Sequence, residues 1–166
     1  PLLWLGSGYT YFSTSKNTKD EYELHVPFSH VKIDKDLVYH HNLYVIINGG
    51  SYSASALISA NLQLKNRAFF VGEETGGDFN GTVAGLMPKF TLPNSKLKIS
   101  VGTVYLSPTE KRDEQAHGVY PNQVIQPNLQ DKIKRTDAEL KWILNDIKKG
   151  NIEYNKALKI ENHLPN

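Results

Sequence analysis

The chain has 166 residues, 39% hydrophobic and 22% charged, which suits one globular domain with a core and excludes wholesale disorder. A net charge of +2 with scattered lysines excludes a nucleic-acid-binding groove. The lack of cysteine excludes disulfides, thiolate metal sites and cysteine nucleophiles.

No apolar run approaches the ~20 residues of a membrane span, and no signal-peptide pattern is present. The chain opens on Pro1 rather than Met, so the expectation is a trimmed amino end. In chain order, "PLLWL" reads as the end of a helix and "YTYFS" as a short strand. Residues 14–41 are polar, with one alternating piece, "EYELHV", and read as a weakly structured connection. Leu43–Asn48 is a short β-branched run bounded by turn residues, which predicts a strand buried on both faces of a parallel sheet. A helix follows from Ser53 to about Leu64, with Ala54, Leu57, Ile58 and Leu62 spaced to form one apolar face. "RAFFVGEETGG" reads as a second buried strand running into a glycine turn, which completes a βαβ unit.

"LPNSKLKI" predicts a hairpin turning at Pro93-Asn94-Ser95. A polar loop over 107–117 precedes the extended segment "HGVYPNQVIQP". Thr136-Asp137-Ala138-Glu139 fits a capping box, Leu140, Ile143, Leu144 and Ile147 form an apolar helix face, and Gly150 ends it. Residues 1–150 are thus expected to form one body and 151–166 a loose polar tail.

The chemistry centres on "NGGSYSASALI", which delivers Ser51, Ser53 and Ser55 between a strand and a helix. Serine is a preferred helix N-cap, so these residues fit a structural turn. They also fit a nucleophile, because the unsatisfied N–H groups of a helix N-terminus can hold a developing oxyanion. Small neighbours, Gly50 and Ala54, leave room for a substrate backbone. The pattern is not the G-x-S-x-G elbow of α/β-hydrolases. "GEETGGDFNG" lacks the lysine of a phosphate loop and the spacing of a calcium loop, and reads as a turn lining a cleft.

The ordered blocks "NGGSYSASALISANLQLKNRAFFVGEETGG", "LPNSKLKI" and "HGVYPN" resemble the C-terminal processing (tail-specific) serine peptidases and their tricorn-core relatives. The resemblance covers roughly residues 40–148 and implies an α/β fold of the spiral ClpP/crotonase type. It implies that Ser53 is the nucleophile and the Ala54 N–H one oxyanion-hole donor. It also implies a peptide or protein substrate, no cofactor, and an exported, periplasmic setting.

This sequence departs from the family pattern in instructive places. One branch carries a lysine base just after the Gly-Glu-x-Thr turn, and Asp78 stands there. The other branch uses a histidine oriented by a glutamate three residues before the glycine of Gly-Val-x-Pro-Asp. Gln115 holds that position, so Glu114 beside it becomes the candidate orienter, and Asn122 replaces the final acid. The family's base histidine and its Asp-Leu-Arg-Gly strand lie upstream of this stretch. His40 and His41 begin a strand whose far end lies roughly 23 Å away at about 3.3 Å per residue. His117 sits in the loop before Gly118 and reads as a surface histidine, while His25, His30 and His163 lack catalytic context.

The sequence therefore reads as the carboxy-terminal part of a serine endopeptidase, slow by itself and completed by the preceding part of the same peptidase. The alternatives are a non-catalytic binding protein for peptides or apolar ligands on the same scaffold and, more distantly, a crotonase-type acyl-CoA enzyme, which would not need the Ser53 motif.

Overall fold

The computed structural model describes residues 14–18, 20, 22–24, 32, 34–85 and 87–159. The helix end and strand expected within residues 1–13 lie outside them, as do His25, His30 and His163. The chain divides into two compact units between His40 and His41. In the first, β1 (Thr14–Lys16) pairs antiparallel with β2 (Tyr22–Leu24), and Lys16 Nζ meets Asp20 Oδ1 at 2.6 Å across the connecting turn. Part of the expected loose connection is thus a small hairpin.

The second unit is built on a parallel sheet in the order β3 (Tyr44–Ile47), β4 (Phe69–Gly72), β9 (Gln123–Val124). Helix α1 (Ala54–Leu64) joins β3 to β4, giving the expected βαβ unit. All four residues of β4 are buried, because β4 lies between two strands. Its side chains alternate between two cores. Phe70 joins Ile47, Ala60, Ala68, Phe79 and Val119 on the α1 side, and Phe69 and Val71 join Ile143 and Tyr154 on the other. Strand β3 departs from the expected double burial: Ile46 is 42% exposed, since β3 is an edge strand among the described residues.

Helix α1 also presents a different face from the one its apolar spacing predicts. Its buried residues are Ala56, Ser59 and Ala60, while Ala54 is exposed and Ile58 is 60% exposed. The helical period is right but the phase is rotated. Small residues face inward because the helix meets a glycine turn at close range: a Cβ on Gly77 would lie 2.7 Å from the Ala56 Cβ.

Strands β5 (Thr82–Ala84) and β8 (Val104–Leu106) pair antiparallel around the expected hairpin of β6 (Lys89–Thr91) and β7 (Lys98–Ser100). The turn closes with the Leu92 N–H donating to Leu97 O at 2.9 Å. Helix α2 (Leu129–Lys134), whose Leu129 and Ile133 remain exposed, is begun by a reciprocal capping box between Asn128 and Asp131.

Helix α3 (Ala138–Lys148) starts one residue later than expected. Its N-cap is Asp137, whose carboxylate accepts the Leu140 N–H at 2.7 Å, rather than Thr136. Of the expected apolar face, Ile143 is buried and Leu140, Leu144 and Ile147 are exposed. The face is set instead by Trp142, stacked on Phe69 at 5.7 Å between centroids, and by the buried Asp146.

The segment expected as a loose tail forms helix α4 (Ile152–Lys159). Tyr154 is 6% exposed, and its hydroxyl accepts the Leu43 N–H at 3.0 Å. Asp146 ties the arrangement together. Its carboxylate accepts from the Glu153 N–H (3.1 Å), the Tyr154 N–H (3.4 Å) and the Tyr44 hydroxyl (2.7 Å). A buried carboxylate is tolerable only when donors replace its lost water, and three do so here.

Replacing Tyr154 by Ala should lower unfolding free energy by roughly 3–5 kcal/mol, as for other buried aromatic truncations, and Tyr154→Phe by about 1 kcal/mol for the lost acceptor. Urea unfolding measures both; an unchanged midpoint for Tyr154→Ala would mean that α4 does not support the sheet. Desolvation and the Asp146 carboxylate push the Tyr44 phenol well above its ordinary value. The native state therefore holds this proton more tightly than the unfolded chain does. Its contribution is complete below the unfolded phenol value of about 10 and is lost as pH rises through the higher folded value. Stability should fall as pH is raised from about 9 to 11, and less steeply in Tyr44→Phe.

Candidate active site

The three serines have three different environments. Ser51 closes a turn: its N–H donates to Asn48 O (2.8 Å) and its Oγ accepts the Asn48 N–H (3.2 Å). Ser55 lies exposed in the first turn of α1. Ser53 occupies the N-cap position, with its carbonyl accepting the Leu57 N–H at 3.0 Å. Its side chain makes no cap hydrogen bond and is exposed. The capping role that serine normally plays at this position is therefore unused.

Ser53 also has φ 53° and ψ −116°, outside every basin that a non-glycine residue ordinarily occupies. Such a conformation costs on the order of 1–3 kcal/mol and persists only where the surroundings over-determine it. Here the determinants are visible. The chain must leave β3, turn through Asn48–Ser51 and start α1 within a few residues. The glycine turn then presses against the result: the Gly77 N–H donates to Ser51 O at 3.0 Å, and a Cβ on Gly77 would lie 3.2 Å from the Ser53 nitrogen. The Ala54 N–H, at the first helical position, has no hydrogen-bond partner among the described residues. An exposed hydroxyl beside a helix-terminal N–H is the local arrangement that an acyl-transfer nucleophile and one oxyanion donor would need, with a base still to be supplied.

A second loop, 112–119, lies against the back of the glycine turn. Thr75 pairs with Val119 in both directions, its N–H donating to Val119 O (3.1 Å) and its Oγ1 accepting the Val119 N–H (2.8 Å). The same hydroxyl donates to Gly77 O at 2.8 Å. The Phe79 N–H donates to His117 O at 2.8 Å. Gly118 has no room for a side chain, because a Cβ would lie 2.2 Å from Thr75 O.

This packing brings four polar side chains together. His117 Nδ1 lies 3.2 Å from Glu74 Oε1, which also accepts the Gly118 N–H at 2.7 Å. His117 Nε2 lies 3.7 Å from Glu114 Oε1, and that oxygen accepts the Tyr120 hydroxyl at 3.0 Å. Desolvation and the bond to Glu114 push the Tyr120 hydroxyl up from the ordinary phenol value. Glu114, expected as either an orienter or a solvated loop acid, is half exposed but held. His117 is half exposed and set between two carboxylates. His41 is exposed just before β3, whereas Ser53 follows the opposite end of that strand.

The departures from the family pattern have local explanations. Asp78 Oδ1 accepts the Asn80 N–H at 2.6 Å, so the residue at the lysine position closes a turn. Asn122 Oδ1 accepts the Phe70 N–H at 2.8 Å, a task that needs an acceptor but no charge. Among the described residues Gln115 reaches carbonyls of its own loop, Asp113 O at 3.3 Å and Arg112 O at 3.5 Å. Glu74, Asn80 and Tyr120 escape sequence reasoning, because their partners are about 30 or more residues away or follow from the bend of loop 112–119. Among the described residues no cluster of three metal-ligating side chains occurs, and no helix is long and apolar enough to cross a membrane.

The model of peptidase family S41 matches residues 4–125, a span that contains both loops and all three serines. No curated protein matches the chain.

The fit of the glycine turn against Ser53 is testable by adding one methyl group. Gly77→Ala should destabilise the chain by about 1–3 kcal/mol through overpacking. Gly49→Ala, where a Cβ would meet nothing within 4 Å, should stay within about 0.5 kcal/mol. Equal urea midpoints for the two variants would contradict the close approach.

Proposed function

The chain belongs to peptidase family S41, and on that premise we propose that it is the carboxy-terminal part of a serine endopeptidase, with Ser53 as the nucleophile. The observation that carries this reading is the strained, exposed Ser53, whose hydroxyl makes no cap hydrogen bond at a helix N-terminus. Its Oγ attacks the carbonyl carbon of a peptide bond. A base takes the hydroxyl proton, and the Ala54 N–H receives the oxyanion. The tetrahedral intermediate collapses as the base returns the proton to the leaving amine, and water then releases the acyl group from Ser53.

The base on this reading is a histidine from the preceding part of the same protein, oriented by Glu114. The hydrogen bond from Tyr120 supports that role, since an orienting carboxylate must itself be held. The engagement of Asp78 with the Asn80 N–H speaks against a base at the lysine position. The complete domain has the spiral ClpP/crotonase fold, of which the β3–α1–β4 unit is part, its substrates are peptides or proteins, and it works in an exported setting.

The chain alone should be slow. Without its base, and with one oxyanion donor where two are the rule, it lacks about a hundred- to a thousandfold from the missing donor alone. Labelling by a serine-directed fluorophosphonate and hydrolysis of unfolded casein test this in the chain, in the longer protein and in its Ser53→Ala variant. The longer protein should label and hydrolyse far faster, and Ser53→Ala should remove both activities. Retention of hydrolysis by Ser53→Ala would end the nucleophile assignment. Inactivity of the longer protein towards both probes would favour the binding-protein reading.

A further inference from the structure

Glu114 stands in an exposed loop, where a carboxylate would ordinarily wander through several rotamers. Two residues outside the expected site restrain it. Asn80 is 3% exposed and lies between the glycine turn and β5. Its Nδ2 donates to both Arg112 O (3.1 Å) and Glu114 O (3.0 Å), and its Oδ1 accepts the Arg112 N–H (2.7 Å). One amide thus fixes the backbone of loop 112–114 at three points. Asn80 is itself clamped, with its N–H on Asp78 and its carbonyl accepting the Tyr105 hydroxyl at 2.9 Å. The same loop is anchored by the Arg112 guanidinium, which lies 3.7 Å from the Phe79 ring centroid and bonds Gln63 Oε1. Beyond this anchored backbone, the Tyr120 hydroxyl holds the Glu114 carboxylate.

We propose that Asn80 and Tyr120 are the positioning residues of Glu114, Asn80 fixing its backbone and Tyr120 its carboxylate. The inference rests on the reading of Glu114 as the acid that orients the catalytic histidine. The physical requirement is geometric: an orienting carboxylate displaced by about 1 Å can cost up to a hundredfold in rate. A buried asparagine suits the task because its amide offers donors to two carbonyls and an acceptor to one N–H in a single rigid plane. Aspartate has the same shape but no donors, and would turn a carboxylate oxygen towards two carbonyls.

The test is a set of double-mutant cycles in the full-length protein, with kcat and KM measured on dye-labelled unfolded casein. Asn80→Asp and Tyr120→Phe should each lower kcat by about tenfold or more and leave KM unchanged. Neither should lower kcat further in a Glu114→Gln background, because a residue acting through Glu114 has no effect once that carboxylate is gone. Losses that persist in that background overturn the proposal while leaving the serine peptidase reading intact. A kcat unaffected by Glu114→Gln overturns the assigned role of Glu114 and this proposal with it, whereas activity surviving Ser53→Ala sinks the peptidase mechanism itself. Should Asn80→Asp fail to fold, Tyr120→Phe decides alone, since it deletes one oxygen from an exposed ring; an undiminished kcat there overturns the proposal.

Discussion

The backbone of Ser53 is the constraint around which the β3–α1 passage and the two loops behind it are arranged. A non-glycine residue at φ 53° and ψ −116° is unstable by itself, and the fold supplies what holds it. From one side, β3 and the Asn48–Ser51 turn deliver the chain, and from the other α1 begins at once, with the Leu57 N–H on the Ser53 carbonyl. Behind it stands Gly77, close enough to exclude any side chain. The Ser53 side chain makes no cap hydrogen bond, and among the described residues the Ala54 N–H has no partner.

That constraint is transmitted backwards through two loops. Thr75 is the joint, because its single hydroxyl accepts from the Val119 N–H and donates to Gly77 O. Loop 73–80 is thereby fixed to loop 112–119, and the glycine against Ser53 belongs to the same frame as Glu114 and His117. Closely packed backbones of this kind cannot accept side chains at the contact, which is why Gly77 and Gly118 sit where they do. Glycines that look like flexible turn residues in the sequence are here points of rigidity.

The opposite face of the sheet is steadied by a different device. Phe69, Trp142, Tyr44 and Tyr154 form an aromatic cluster against β4, and Asp146 supplies the acceptor for three donors at its edge. Helix α4 thus contributes a ring to the core and a hydroxyl acceptor to the Leu43 N–H at the start of β3. A carboxy-terminal segment that is polar in composition is tied to the strand that leads towards Ser53.

The strand β4, the βαβ order, the β6–β7 turn and the Ser53 motif were legible in the sequence, because each is encoded in contiguous residues: a β-branched or aromatic run, a 3.6-residue period, a Pro-Asn-Ser turn, a strand-to-helix passage of small residues. Which face of α1 and of α3 is buried was not. Apolar spacing names the greasiest face, whereas close approach of a glycine turn selects Ala56, Ser59 and Ala60, and stacking on Phe69 selects Trp142. Helix α4 was hidden by its polar residues, because Tyr154, with Ala157 and Leu158 beside it, and the carboxylate of Asp146 in the preceding helix anchor it. The same holds at the site. The sequence by itself determined that a serine stands at the start of a helix after a parallel strand, since that depends only on local order. Only the tertiary structure decided that Ser53, rather than Ser51 or Ser55, has a strained backbone and leaves its capping role unused, and that Asn80 and Tyr120 hold Glu114. The strain at Ser53 and the bonds of Asn80 arise where separate segments meet, and the Tyr120 bond to Glu114 arises from the bend of a loop that those contacts fix, so no local pattern records them.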